Sequence, residues 1–263
     1  MCKNRLIYRY SFMKTITCFI GTMGCGGAEH QLAILTSMLS RKGYKVELVT
    51  YGGKEDHYPI DNQVKRIRIA NTSNRIGKFL SIFWFFLTHS TDCVISFTQR
   101  VNLFTLIPLL FRPKIKVIAG ERNFTVAKQD LIEKVLFRYL YKRADYIVPN
   151  SYSQGEYIAS KQSNLAKKVV TIINYTDINQ YEYLVPQKND ITKIGIFCRY
   201  HKQKNYERFA KVVKMLKDAG YVLQVDWYGN KKEEIGGNNI DYLHFKELVE
   251  SYCIDDVIYL NVH

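Results

Sequence analysis

The chain has 263 residues, enough for one large or two small domains, and 47% are hydrophobic and 14% aromatic, which excludes a disordered composition. Lysine and arginine number 38 against 24 acidic residues, a formal net charge of +14, so anionic partners are favoured: phosphorylated substrates, an anionic membrane surface or nucleic acid. The six cysteines, at 2, 18, 25, 93, 198 and 253, form no C-x-x-C; they read as small buried hydrophobes in a reducing compartment, not as a zinc site or a disulfide frame.

Residues 1–13 are basic and aromatic, lack a clean apolar signal core, and read as an N-terminal extension. Thr15 to Ile20 is an apolar strand. The loop Gly21-Thr22-Met23-Gly24-Cys25-Gly26-Gly27 follows, and Ala28, Leu32, Leu35 and Leu39 then recur at helical spacing until Gly43. A glycine-rich turn feeding a helix N-terminus suits a phosphate, because N–H groups point outward and no Cβ blocks approach. Two familiar phosphate motifs fail on specific letters. A dinucleotide fingerprint starting at Gly24 needs a glycine where Glu29 stands, and a P-loop needs a lysine and a hydroxyl where Gly27 and Ala28 stand. A tight turn with no ligand is the plain alternative.

Beyond this loop, strands are expected at Val46–Thr50, Val64–Ile69, Cys93–Phe97, Ile115–Ala119, Tyr146–Pro149 and Val169–Ile173. Helices fit residues 28–42, 75–89, 101–110, 129–143 and 151–160. Short, apolar, β-branched strands alternating with helices indicate an α/β domain with a doubly wound parallel sheet, with ligands at the carboxyl ends of the strands. The apolar run Phe79 to Leu87 is about half the length of a membrane span and reads as a core-facing or interfacial helix.

Residues 174–190 are polar and aromatic with no sustained period, so a linker is expected over 176–191, between a first domain at 14–175 and a second at 192–263. The second unit starts with a strand at Lys193–Cys198. A helix at Asn205–Ala219 follows, then a strand at Val222–Tyr228, a polar loop at 230–239, a helix at 244–253 and a strand at Val257–Leu260. The first of these strands runs into Arg199-Tyr200-His201-Lys202-Gln203-Lys204-Asn205. That turn sets a guanidinium and an ammonium at a strand's carboxyl end beside a helix N-terminus, a pairing suited to a diphosphate; a solvated basic loop is the plain alternative.

Taken together, these stretches resemble the GT-B glycosyltransferases of family 4. The matching runs are GGAEHQLAILTSMLSRKGYKVELVT at 26–50, ERNF at 121–124, RADYIVPNSYSQGEYI at 143–158 and VVTIINYTDI at 169–178, followed by IGIFCRYHKQKNYERFAKV at 194–212, WYGN at 227–230 and DDVIYLN at 255–261. The resemblance implies two Rossmann-like doubly wound domains, an acceptor-side first domain and a second that holds a nucleotide-sugar, UDP- or GDP-linked, as co-substrate with no cofactor. It implies transfer of the sugar, with retention and without a metal, to a glycan or lipid-linked acceptor in cell-surface polysaccharide or lipopolysaccharide-type biosynthesis. Arg199 and Lys204 become the cations that neutralise the departing diphosphate, since preorganised charge is usually the largest catalytic contribution. Gly26, Gly27, Asn205 and Gly229 fall in the donor and phosphate set. Glu121 is expected to meet the transferred sugar, at a position where many relatives carry histidine; Glu29, Arg122 and Asn123 belong to the acceptor side.

Two departures stand out. Cys198 replaces the glycine usual before the arginine. The paired glutamates E-x₇-E of the family belong after the point where this chain ends, so a truncated donor domain of weak or no activity is expected; Glu47 and Glu55 share that spacing by chance, in the wrong domain. A non-catalytic protein binding an anionic glycan or membrane surface is the other class kept open. Basic residues spread along the chain without any RNP-like, helix-turn-helix or zinc signature argue against nucleic acid. The expected location is cytoplasmic, with peripheral contact at the inner face of an anionic membrane.

Overall fold

The computed structural model describes residues 14–53, 56–69, 74–122, 131–176, 192–229 and 240–262. The chain divides into two compact units, Met1–Ile178 and Asn179–His263. The expected extension at 1–13, most of the linker and the 230–239 loop lie outside the described residues.

Unit 1 is built on β1 (Thr15–Ile20), β2 (Lys45–Thr50), β3 (Lys65–Arg68), β4 (Cys93–Phe97), β5 (Lys116–Glu121) and β6 (Tyr146–Pro149). They form one parallel sheet in the order β3-β2-β1-β4-β5-β6, with register pairs such as Phe19↔Val49, Phe19↔Ser96 and Ile95↔Ile118. Parallel strands need crossovers, and α1 (Gly27–Arg41), α2 (Arg75–Thr88), α3 (Gln99–Leu109), α4 (Leu131–Val135) and α5 (Tyr152–Lys161) supply helices between and after them. A short α6 (Ser163–Ala166) follows. Side chains alternate across each strand, so the sheet feeds two cores. Ile16, Cys18 and Ile20 pack with Leu32 and Ala33 of α1, while Phe19 packs with Ile82 and Phe86 of α2 and with Val101 and Leu106 of α3. The strand order reverses direction between β1 and β4, and that switch point is where doubly wound sheets open a ligand crevice.

Two expected elements differ. Val169–Ile173 is not a full strand: Val169 makes one parallel bridge to Ile147, and the run continues beside β6 through single hydrogen bonds, from the Val170 N–H to the Ile147 carbonyl (3.0 Å) and from the Ile172 N–H to the Pro149 carbonyl (3.0 Å). Beyond this run Gln31 of α1 clasps the backbone of Tyr175, its Nε2 donating to the Tyr175 carbonyl (2.8 Å) and its Oε1 accepting from the Tyr175 N–H (2.8 Å). The helix expected at 129–143 is described only from Leu131, and after α4 it widens into a π-helical turn, Leu136–Leu140, where the Tyr141 N–H reaches back to the Leu136 carbonyl (2.9 Å).

Unit 2 holds β7 (Thr192–Phe197), α7 (Tyr206–Asp218), β8 (Leu223–Gly229), α8 (Ile240–Ser251) and β9 (Ile258–Val262), a parallel sheet in the order β7-β8-β9. Both helices pack on one face, where Tyr206, Ala210 and Val213 of α7 and Phe245 and Val249 of α8 enclose Trp227 and Val225. Trp227 and Phe245 meet edge to face at 4.9 Å. Among the described residues the other face is open: Phe197, 79% exposed, stacks on Tyr228 with ring centroids 5.0 Å apart.

Candidate functional site

In unit 1 the loop after β1 carries Met23 inward, 1% exposed, and leaves Gly26 as the N-cap of α1 in extended backbone with no side-chain cap. The helix N-terminus is nevertheless not bare. A Cβ built on Gly26 would stand 2.2 Å from Glu29 Oε2, so the Glu29 carboxylate folds back over the glycine in the first turn of its own helix. A carboxylate there is favoured by the helix dipole. Gly27 meets nothing within 4 Å on its Cβ side. Tyr58 closes the same loop from beyond β2: its ring stacks on His30 at 4.7 Å and meets His57 edge-on at 4.8 Å. Burial, then the Cys25 thiol and the Glu29 carboxylate, push the Tyr58 phenol up from its ordinary value.

The carboxyl ends of β4 and β5 carry the second cluster. Thr98, the N-cap of α3, has φ 79° and ψ 150°, a region that L side chains rarely enter. Its N–H donates to the Gly120 carbonyl (3.1 Å), which fixes the strained turn against β5. Glu121 ends β5 wholly buried. Tyr141 donates its hydroxyl to Glu121 Oε1, Asn102 Nδ2 approaches the same oxygen at 3.2 Å, and Ser96 donates to Asn102 Oδ1 at 2.6 Å. The carboxylate at the expected sugar-contacting position therefore points into an internal polar chain from α3 and the turn after the π-helical segment. Nothing in the linear spacing of Ser96, Asn102, Glu121 and Tyr141 signals this network.

Arg122 leaves the sheet beside it. Its guanidinium lies 4.3 Å from the Phe97 ring centroid, and one terminal nitrogen donates to Asn174 Oδ1 (3.2 Å). Its Nε is buried without a hydrogen-bond partner among the described residues, and burial pulls its pKa down. Asn174 and Tyr175 thus tie the segment after β6 to the ends of both β5 and α1. Asn123 and Glu55 lie outside the described residues. Glu47 does not face a ligand: it is 2% exposed on β2, with His89 Nε2 at 2.5 Å and Lys65 Nζ at 3.1 Å.

In unit 2 the turn after β7 places Arg199, Lys202 and Lys204 in solvent, and none has an acidic partner among the described residues. The turn is held by a set of hydrogen bonds. The Trp227 indole N–H donates to the Cys198 carbonyl (3.0 Å), and the buried Tyr200 hydroxyl lies 3.1 Å from the Trp227 carbonyl and 3.0 Å from that of Asn261. His201 Nδ1 accepts from the Gln203 N–H (3.2 Å), Lys202–Lys204 make a 3-10 turn, and Asn205 takes the left-handed conformation at φ 55° to start α7. Gly229 is required by close approach: its Cβ would stand 2.5 Å from the Cys198 carbonyl oxygen. Burial raises the Cys198 thiol pKa, and the Lys204 charge opposes it. The arrangement offers exposed cations on a fixed turn at the start of a helix, which is how a protein presents charge to phosphate oxygens.

No family model matches the chain. Its curated relatives are glycosyltransferases. It is 28% identical over 184 residues, 63% of this chain and 49% of the relative, to the N-acetylgalactosamine-N,N'-diacetylbacillosaminyl-diphospho-undecaprenol 4-alpha-N-acetylgalactosaminyltransferase of Campylobacter jejuni. It is 25% identical over 239 residues, 88% of this chain and 66% of the relative, to the amylovoran biosynthesis glycosyltransferase AmsD of Erwinia amylovora. The chain thus spans about half to two thirds of the length of these relatives. Among solved structures, a glycosyltransferase from Rickettsia africae superposes with a TM-score of 0.68 at 12% identity, covering 96% of this chain and 69% of that one. Anabaena HepE, solved with UDP and glucose, gives 0.67 at 11% identity, covering 95% and 70%. The fold is α/β of the GT-B type.

Proposed function

We propose that this chain belongs to a glycosyltransferase that moves a sugar from a nucleotide-sugar to a glycan or lipid-linked acceptor in cell-surface polysaccharide biosynthesis, with family 4 chemistry: retention, and no metal. Unit 2 carries donor-side residues and unit 1 carries the acceptor side. The observation that supports this most is the exposed Arg199 and Lys204, without an acidic partner among the described residues, on the braced turn after β7. Breaking the bond between sugar and diphosphate builds negative charge on the leaving oxygen, and cations already in place need no reorganisation when it develops. Arg199 grips the diphosphate through two N–H groups, and Lys204 adds a point charge. Asn205 starts the helix whose N–H groups face the same anion, and Gly229 keeps the neighbouring strand end free of a side chain.

In unit 1, Glu29 already supplies the negative charge at the start of α1, so the Gly26-Gly27 loop addresses neutral hydroxyls of a sugar through that carboxylate. Arg122 serves the acceptor side, as does Asn123 by position. Glu121 is assigned as a positioning residue that holds the end of β5 through Tyr141 and Asn102. The relatives' names support this reading: one acts on a diphospho-undecaprenol-linked sugar, and HepE is solved with UDP and glucose.

A calorimetric screen of UDP- and GDP-sugars against the purified chain tests the proposal. Binding of one nucleotide series, weakened on the order of 10- to 100-fold in Arg199→Ala, is expected from loss of a charge-assisted pair. Binding that Arg199→Ala leaves unchanged removes the assigned role.

A further inference from the structure

The outer face of α2 has no use in the site described above. Its most solvent-directed line is Ile76, Leu80 and Trp84, spaced by four and 70%, 48% and 59% exposed. A soluble helix normally turns charged or polar residues to that side. The apolar surface continues sideways through half-buried rings: Phe79 meets Phe83 at 6.2 Å and Phe104 of α3 at 5.8 Å, while Phe83 meets Trp84 at 6.2 Å and Phe111 at 6.4 Å. Phe111, just beyond α3, is 68% exposed, and Leu110 beside it 48%. A contiguous aromatic patch of this kind on one face marks an interaction surface.

The charges on the two helices are of one sign. Neither α2 nor α3 contains an aspartate or glutamate; Arg75, Lys78 and Arg100 are their charged residues, with Lys114 just beyond α3 and one acid, Asp92, just beyond α2. Arg112 is spent inside, donating to the carbonyls of Phe86 and His89. A second copy of this chain would bring the same cations and another +14 charge against the patch, which argues against self-association. A lipid surface with anionic headgroups answers both features: Trp, Phe and Leu enter the headgroup boundary and Lys and Arg meet the phosphates.

We propose that the Ile76–Leu80–Trp84 face of α2, with Phe83 and Phe111, docks on an anionic membrane surface with the Trp84 indole inserted at the headgroup level. The inference stands on this surface alone and does not depend on the sugar-transfer reading.

Trp84 makes the test direct. The chain has two tryptophans, and Trp227 is 1% exposed in unit 2, so a lipid-dependent change in emission reports Trp84. The full chain is mixed with vesicles of phosphatidylcholine alone or with roughly one third phosphatidylglycerol, then read by flotation and by Trp emission. Flotation with the anionic vesicles only, with a blue shift and reversal by high salt, is expected. Leu80→Ser with Trp84→Ser should abolish flotation. Lys78→Gln should weaken it about five-fold, as should Lys114→Gln. These residues are exposed or half-buried, and circular dichroism confirms that each variant is folded. Failure to float with either vesicle overturns the proposal. So does flotation indifferent to the α2 substitutions. So does a concentration-dependent dimer, seen by light scattering, that Trp84→Ser dissolves.

Discussion

Gly229→Ala adds one methyl group where β8 ends against the turn after β7. The new Cβ would lie 2.5 Å from the Cys198 carbonyl oxygen, and 3.1 and 3.2 Å from two carbons of the Tyr200 ring. Neither neighbour can step aside cheaply. The carbonyl accepts from the Trp227 indole at 3.0 Å, and the Tyr200 hydroxyl is held at 3.1 Å and 3.0 Å by two backbone carbonyls. Reaching ordinary contact needs a shift of roughly 0.5 to 1 Å between the ends of β7 and β8. Overpacking of that kind costs about 1–3 kcal/mol, against about 0.4–1 kcal/mol recovered by stiffening the unfolded chain, a net loss of about 0.5–2 kcal/mol. With a urea dependence of ~1 kcal/mol/M for a unit of this size, the midpoint should fall by roughly 0.5–2 M. Trp227 emission follows unit 2 specifically, since Trp84 is already in solvent. Gly195→Ala in the same sheet is the control: its Cβ meets only the ring of Phe197, 3.1 Å away and free to swing, so less than about 0.5 kcal/mol is expected. Equal midpoints for wild type and Gly229→Ala would refute the close-approach reasoning.

Three further expectations concern unit 1. Burial alone would raise the Glu47 carboxyl pKa, but hydrogen bonds from His89 and Lys65 hold it below the ordinary value. Glu47 therefore adds stability above the ~4.3 of an unfolded glutamate, and this is lost as pH falls through its lower folded value. His89→Ala should cost about 1–3 kcal/mol at neutral pH and move that acid loss to higher pH; thermal melts across pH that superpose after a constant offset would contradict it. Asn102→Leu strips one of the two donors from Glu121 Oε1 and leaves the Ser96 hydroxyl and the Gly120 carbonyl without their side-chain amide partner, and should lower stability by about 2–4 kcal/mol; a melting midpoint within a degree of wild type would sink the inward role given to Glu121. Gln31→Ala should leave global stability within about 1 kcal/mol, yet speed hydrogen exchange at the Tyr175 amide roughly tenfold; unchanged exchange would mean that the clasp does not hold the segment.

The strands of unit 1 were legible because both faces of its sheet are covered, so each strand reads as an apolar run. The element pattern also pointed to a crevice at the strand ends. The sheet order was not legible, since it depends on which strands meet across the crossovers. Val169–Ile173 shows how a β-branched run can mislead: the propensity is present, but its pairing with β6 amounts to one bridge and a few single hydrogen bonds, a matter the tertiary fold decides. Glu121 fails in the same way. Its place at the end of β5 was readable, whereas its direction is set by Asn102 and Tyr141 through tertiary contact. Glu29 was readable as a letter that breaks a dinucleotide motif; that its carboxylate sits over Gly26 is set by the folded first turn of α1. The turn from Arg199 to Lys204 was read most directly, because local spacing alone puts both cations at a strand-to-helix junction.

That turn is also where the functional reading is most exposed. Affinity should be measured for UDP against uridine, and for GDP against guanosine, with wild type and Arg199→Ala. Diphosphate capture by unit 2 predicts that the nucleoside diphosphate binds more tightly than its nucleoside, and that Arg199→Ala removes on the order of 10- to 100-fold of that advantage while leaving the nucleoside unchanged. An advantage that is absent in wild type, or that survives intact in Arg199→Ala, would contradict it.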